Sequence, residues 1–306
     1  IGLSSLRVIY YLEQLFREFM NCLTSWNSDF SKFIFRGHSS DEFNLIPKLL
    51  RKGDFDEVFK LAALSSTITH SNDTASDLMK YEYSILRNFY KSADMNGLVV
   101  PNIKELRNDM IQEWGNIFEF SYAPSSINWL PEPLWEIAAL AQHYGLPTRL
   151  LDWTYDPFVA AFFATRPNPH INNKGCLNIW ALNKEAIGII KMISSKDLPL
   201  NFVTPHYSSN ANLNAQKGLF THFATKVKVG DSIDQDRKTL DEAIKDCIPE
   251  GLDIGQDIFV KISLPRSEAR EVFGFLNSFG YGTSRIFPGY DGVVKQMEDQ
   301  VAWKDM

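Results

Sequence analysis

Three element signals follow one another between Leu134 and Ala164, and they leave little freedom for the segment between them. Pro133 suits the first turn of a helix running Leu134 to Tyr144. Gly145 then permits the left-handed turn that closes such a helix. Asp156-Pro157 supplies a cap and a first-turn proline for an apolar helix over Phe158 to Ala164. Thr148 to Asp152 is left as a short strand, so the chain must run helix, strand, helix here. The same stretch is chemically dense. Gln142 to Thr154 holds Gln142, His143, Thr148, Arg149, Asp152 and Thr154 interleaved with Leu146, Leu150 and Leu151. Mixed hydrogen-bonding groups beside apolar residues are what a pocket for a polar small molecule requires.

The rest of the chain reads as alternating elements without a regular order. Apolar residues at Val8, Ile9, Leu12, Leu15, Phe16, Phe19 and Leu23 predict a helix over Leu6 to Thr24, making the N-terminal portion helical. Lys32 to Phe35 is strand-like and ends in Arg36-Gly37. Helices are expected at Phe55 to Ser65 and Asp77 to Ala93, with a loop at His70 to Ser76 and an irregular segment from Pro124 to Pro133. Gly175 to Leu182 reads as a buried strand, Leu213 to Phe223 as a loop leading into another, and Gly230 to Lys238 as an exposed loop. Leu240 to Asp246, Ile258 to Leu264 and Ser267 to Phe279 read as helix, strand, helix, and a last short helix follows the turn Pro288 to Gly292. This irregular interleaving favours an α+β fold over a regular parallel α/β array. Without a repeat, low-complexity tract or clear linker, residues 1–306 read as a single domain.

Composition excludes several functions. A net charge of -6 gives no electrostatic footprint for indiscriminate binding of nucleic acid or anionic membrane. Cys22, Cys176 and Cys247 are odd in number and far apart, which argues against a disulfide framework or structural zinc and fits a reducing cytoplasm. The longest apolar runs are too short to span a bilayer. His70, His170, His206 and His222 lack metal-ligand spacing, so no metal is expected. Phosphate-loop, dinucleotide, zinc-protease and serine-hydrolase signatures are absent.

Phe35-Arg36-Gly37, preceded by Phe33 and Ile34, resembles the signature of the FRG domain. The string from Gln142 to Ala164 is similar to that family's longest motif. Gln216-Lys217-Gly218-Leu219-Phe220-Thr221, and Arg285-Ile286-Phe287-Pro288 with Asp291-Gly292, resemble two further elements. These matches place the family core within about residues 31–300, behind an N-terminal helix in residues 1–30. More distantly, the pattern is similar to the Arg-Ser-Glu class of ADP-ribosyltransferases, which implies a mixed or antiparallel sheet core.

That resemblance implies an NAD-dependent protein, either an ADP-ribosyltransferase with a macromolecular target or an NAD-hydrolysing enzyme, of the kind used as bacterial effectors or defence toxins. Its alternative is a catalytically inactive nucleotide- or ligand-binding module. Arg36, beside Gly37, matches the class arginine, whose planar fork suits the pyrophosphate of NAD. Asp152-Trp153-Thr154 falls where the class has its hydroxyl-rich element, and Gln216 falls near its catalytic glutamate. Asp152 and Gln216 are therefore the candidate catalytic residues. Cleavage at ribose passes through an oxocarbenium-like state that a carboxylate stabilises. His143, Tyr144 and Thr154 are candidate contacts to nicotinamide or ribose. Gln142, Thr148, Arg149 and Trp153 are candidates for orienting the ligand or holding the strand. Each has a plainer reading beside it: Arg36 in a structural ion pair, His143 as a cation on a helix C-terminus, Asp152 as a turn or capping carboxylate, Trp153 in the core. Arg149 reads as half of a buried ion pair with Asp152 or Asp156. His38, directly after Arg36-Gly37, is the remaining histidine expected to line a pocket.

Overall fold

The computed structural model describes residues 6–10, 15–24, 30–64, 68, 71–109, 126–167, 174–228, 230, 232–252 and 254–305. Two lengths of chain set the middle of the molecule. Strand β5 (Cys176–Asn183) is buried along almost its whole length on both faces, so it belongs inside a sheet covered on both sides. Strand β2 (Phe33–His38) pairs with it antiparallel, Phe33 opposite Asn183 and His38 opposite Asn178. The other strands are β1 (Leu6–Tyr10), β3 (Ile127–Trp129), β4 (Leu150–Thr154), β6 (Leu200–Val203), β7 (Gly218–Phe223), β8 (Thr225–Val227) and β9 (Phe259–Pro265). Seven of them form a sheet in the order β1-β9-β5-β2-β4-β7-β6, and β3 pairs separately with β8. All neighbours in the large sheet are antiparallel except β1 and β9. The fold is α+β with a mixed sheet, as expected.

Among the described residues the helices are α1 (Leu15–Thr24), α2 (Phe55–Ala62), α3 (Ala75–Met95), α4 (Lys104–Asp109), α5 (Trp135–His143), α6 (Pro157–Thr165), α7 (Lys184–Ile193), α8 (Ala211–Ala215), α9 (Leu240–Asp246), α10 (Ala269–Ser278), α11 (Thr283–Ile286) and α12 (Tyr290–Asp305). On one face of the sheet Phe35, Leu177, Ile179 and Ile262 meet Val159 and Phe162 of α6 and Val272 and Leu276 of α10. On the other, Ile34, Leu182 and Leu219 meet Ile187 and Ile190 of α7 and Ile244 of α9. A third cluster joins α3 and α5 to the β4–β7 side through Leu150 and Phe220. No helix among the described residues is long and apolar enough to cross a membrane.

Two expectations are overturned and two more are refined. Leu6 to Tyr10 is not helical: it is a strand lying parallel to β9, with Val8 opposite Lys261, and helix begins only at Leu15. Its Val and Ile satisfy either period over so short a run, and a distant strand decides. The last helix is not short, since α12 has 16 residues. Elsewhere the punctuation holds. Gly145 takes the left-handed conformation at φ 89°, and the Asp156 carboxylate accepts from the Phe158 N–H to cap α6. The segment before β7 contains α8 rather than loop alone, and the loop expected at 70–76 already turns helical at Ala75. Pro124, His70 and His170 lie outside the described residues.

Candidate functional site

The site begins where the sheet parts. Strands β2 and β4 register through a single pair, Phe35 opposite Thr154. Beyond it the Asp152 carbonyl takes no ladder bond from β2; it accepts instead from Arg36 Nη1 at 2.7 Å. A side chain thus does there what backbone would do in a closed sheet, and the opening becomes a cleft of about 1110 Å³. Arg36, Gly37, Gln142, His143, Tyr144, Asp152, Trp153, Thr154 and Gln216 all line it, drawn from four separate stretches of chain. Thr148 and Arg149 do not.

On β4 the burial pattern separates the roles of neighbours. Leu150, Leu151, Trp153 and Thr154 are buried and only Asp152 is exposed. Its side chain belongs to a directional chain of hydrogen bonds. The Thr148 hydroxyl accepts from the Leu150 N–H and donates to Gln142 Oε1 at 2.8 Å. That fixes the amide, so Gln142 Nε2 donates to Asp152 Oδ2 at 3.0 Å. Arg36 Nη1 lies 3.4 Å from the same oxygen. Oδ1 has no hydrogen-bond partner among the described residues. Asp152 is therefore neither a cap nor a turn residue, and Arg36 is in an ion pair that leaves its Nη2 without a partner among the described residues.

His38 completes the chain from the other end. Its Nδ1 lies 3.1 Å from the Phe43 carbonyl, which can only accept, so Nδ1 carries the proton. Nε2 then accepts from Arg36 Nε at 2.9 Å. Burial, with Arg36 alongside, pushes the His38 pKa down to about 3, so the ring is neutral and this tautomer is fixed. Burial also lowers the Arg36 pKa, opposed by Asp152 and reinforced by Arg51. His143 is held below its ordinary value by burial, with Asp152 opposing. Burial thus works against the charged contact to a helix C-terminus that its place in the last turn of α5 suggests.

The remaining residues divide between ligand wall and support. Tyr144 is exposed at the rim, its ring edge-on to His143 at 5.2 Å. The Trp153 indole is in the core and donates to Thr221 Oγ1. The Thr154 hydroxyl is engaged both ways: it donates to the Gln216 carbonyl at 2.7 Å and accepts from the Asp156 N–H. Gln216 Nε2 donates to the Ile286 carbonyl at 3.3 Å. The next residue, Lys217, sits in the left-handed region at φ 45° and is held by an ion pair to buried Asp156 at 3.0 Å. Strain of this kind, unusual outside glycine, is sustained by surrounding structure and collects at functional sites. Gly37 is required by packing. A Cβ there would lie 1.9 Å from the Ala160 carbonyl oxygen, so β2 and α6 meet only because the side chain is missing.

Arg149 is half of a buried pair, but its partner is Glu82 of α3, not Asp152 or Asp156. Glu82, completely buried, also accepts from Trp129 Nε1 at 2.7 Å and the Arg149 N–H at 2.9 Å. Nothing local to Glu82 marks it in the sequence; an apolar helix face interrupted by one acid is its only signal. Arg51 was also missed, and it lines the cleft from the loop after β2. No group of three or more potential metal ligands occurs among the described residues.

The geometry defines an α+β domain whose sheet splits at one point to form a cleft of mixed polar and apolar lining, with Arg36 and Asp152 facing each other across the split. Residues 31–173 match the family model of the FRG domain, and the chain carries an FRG domain. The match contains the Arg36 and Asp152 sides of the cleft and stops short of Gln216. No curated protein and no solved structure matches the chain.

Proposed function

We propose that the cleft binds a nucleotide of the NAD class and that the protein acts on its nicotinamide–ribose bond, transferring the ADP-ribosyl group to a macromolecule or to water. The observation that carries this reading is the convergence of Arg36, His143, Asp152 and Gln216 on one cleft with an Asp152 oxygen unengaged. Arg36 offers a guanidinium edge to phosphate oxygens. Asp152 offers a fixed negative charge near the ribose, where positive charge develops as the C–N bond breaks and nicotinamide leaves with the bonding pair. Water or a target nucleophile then adds to the same carbon and loses its proton. The setting is a bacterial effector or defence protein of the cytoplasm, consistent with free thiols at all three cysteines.

One observation favours a second reading, a binding module without catalysis. Gln216 is neutral and its amide NH2 donates to the Ile286 carbonyl, so the position that resembles the class glutamate supplies no carboxylate. Titration calorimetry with NAD and an assay of nicotinamide release separate the two. Binding with release that Asp152→Asn abolishes supports the enzyme. Binding without release, unchanged by Gln216→Glu, supports the module. Absence of NAD binding, with no effect of Arg36→Ala in cells, removes both.

A further inference from the structure

The cleft contains a second arginine that the site described so far does not use. Arg51 follows the loop that closes one wall, and three features set it apart from an ordinary surface arginine. Its Nε donates to the Ile46 carbonyl at 3.0 Å, which fixes the side chain. Its Nη1 is 3.8 Å from Asp54, too long for a hydrogen bond, and Nη2 has no partner among the described residues. Arg51 is also close enough to Arg36 and His38 for its charge to disfavour their protonated forms. Two guanidinium groups therefore line one cleft, each anchored through Nε and each with Nη2 uncommitted. Of the two arginines Asp152 bonds only Arg36 and Asp54 approaches only Arg51, so neither carboxylate bridges the pair. Like charges held this way repel one another unless an anion lies between them. An anion with two charged centres can turn one centre to each fork and so satisfy both guanidinium groups at once.

We propose that Arg36 and Arg51 together form a diphosphate site, so that the cleft selects ligands carrying a pyrophosphate over those carrying one phosphoryl group. The assignment deepens the NAD reading, and rests on it for the nucleoside portions of the ligand but not for the diphosphate itself. Titration calorimetry on the full chain tests it with inorganic pyrophosphate against phosphate, and with ADP against AMP. A lost charge-assisted contact is worth roughly 10-fold or more in affinity, so the diphosphates should bind at least that much tighter. Arg51→Gln keeps a donor for the Ile46 carbonyl. It should reduce the diphosphate preference to less than about 3-fold, while Arg36→Gln weakens both members of each pair. An unchanged preference in Arg51→Gln, or equal affinities in the unsubstituted protein, overturns the proposal. The underlying reading fails separately. Pyrophosphate binding without NAD binding removes the NAD assignment and leaves this site standing. NAD binding that Arg51→Gln leaves unaltered removes this site and leaves the NAD assignment.

Discussion

Replacing Glu82 with Gln tests whether the motif around β4 is held by the core and used only at Asp152. Glu82 and Arg149 are both buried, and the carboxylate accepts from Trp129 Nε1, from the Arg149 N–H and from Arg149 Nε. Arg149 Nη1 and Nη2 have no hydrogen-bond partners among the described residues, so Glu82 is its only counter-charge, with the Trp129 ring 5.9 Å from the guanidinium. A Gln at position 82 removes the charge and, in either orientation of the amide, turns an NH2 group toward another donor. Leaving a buried charge without its partner costs about 3–5 kcal/mol. A chain of this size melts roughly 2–4 °C lower per kcal/mol lost, so the midpoint should fall by roughly 6–20 °C. Urea unfolding followed by tryptophan fluorescence measures the free energy directly. The double substitution Glu82→Leu with Arg149→Met removes the buried charge but leaves Trp129 Nε1 and the residue-149 N–H without their acceptor, so it should recover only part of the loss. Neither residue lines the cleft, so the folded fraction of Glu82→Gln should bind ligand with unaltered affinity. A cost below about 1 kcal/mol would refute the argument that this pair anchors β4.

Three further substitutions or titrations follow from the same structure. Gly37→Ala drives a methyl into the Ala160 carbonyl and should lose about 1–3 kcal/mol or fail to fold, read by thermal melting. His38 and His222 both have folded pKa values near 3, below the usual 6.5, so the unfolded chain binds more protons between those limits. Their contribution is complete above about pH 6.5 and is lost as pH falls toward 3, at about 1.4 kcal/mol per pH unit for each histidine; urea unfolding between pH 7 and 5 should show the slope, and a flat profile contradicts it. Thr148→Val removes both hydrogen bonds that orient Gln142 and Leu150 and should cost about 1–3 kcal/mol, with weaker ligand binding that Thr148→Ser restores.

What could be read in the sequence was what short-range chemistry decides. Gly145 and Asp156-Pro157 act within a few residues of themselves, and both do what their types predict. The cleft residues were legible because Arg36 and the segment from Gln142 to Thr154 are locally conspicuous. Missed features depend on distant partners. The run Leu6 to Tyr10 becomes a strand because β9, far along the chain, offers it an edge. Arg149 was correctly read as paired, but Glu82 lies 67 residues away and no spacing rule reaches that far. Helix α7 was not expected, although Asn183 caps it and its buried Ala186, Ile187 and Ile190 fall at helical spacing. Arg51 looks like any surface arginine until the loop folds it toward the cleft.

The polarity of the site constrains Asp152 more tightly than its exposure suggests. One end of the hydrogen-bond chain is the Leu150 N–H, which can only donate; the other is the Phe43 carbonyl, which can only accept. Every proton between Leu150 and Asp152, and between Phe43 and Arg36, then has one satisfactory place. Both series point donors at Asp152 Oδ2 and leave Oδ1 toward the cleft. Asn at this position can put its oxygen where Oδ2 lies and keep both donors satisfied, which turns its NH2 group toward the ligand. The exchange preserves position and packing but replaces an acceptor and a negative charge with a donor. If Asp152 acts through its charge, Asp152→Asn should bind NAD with little change and release no nicotinamide. If it only holds Arg36 in place, Asn serves as well, and release should continue.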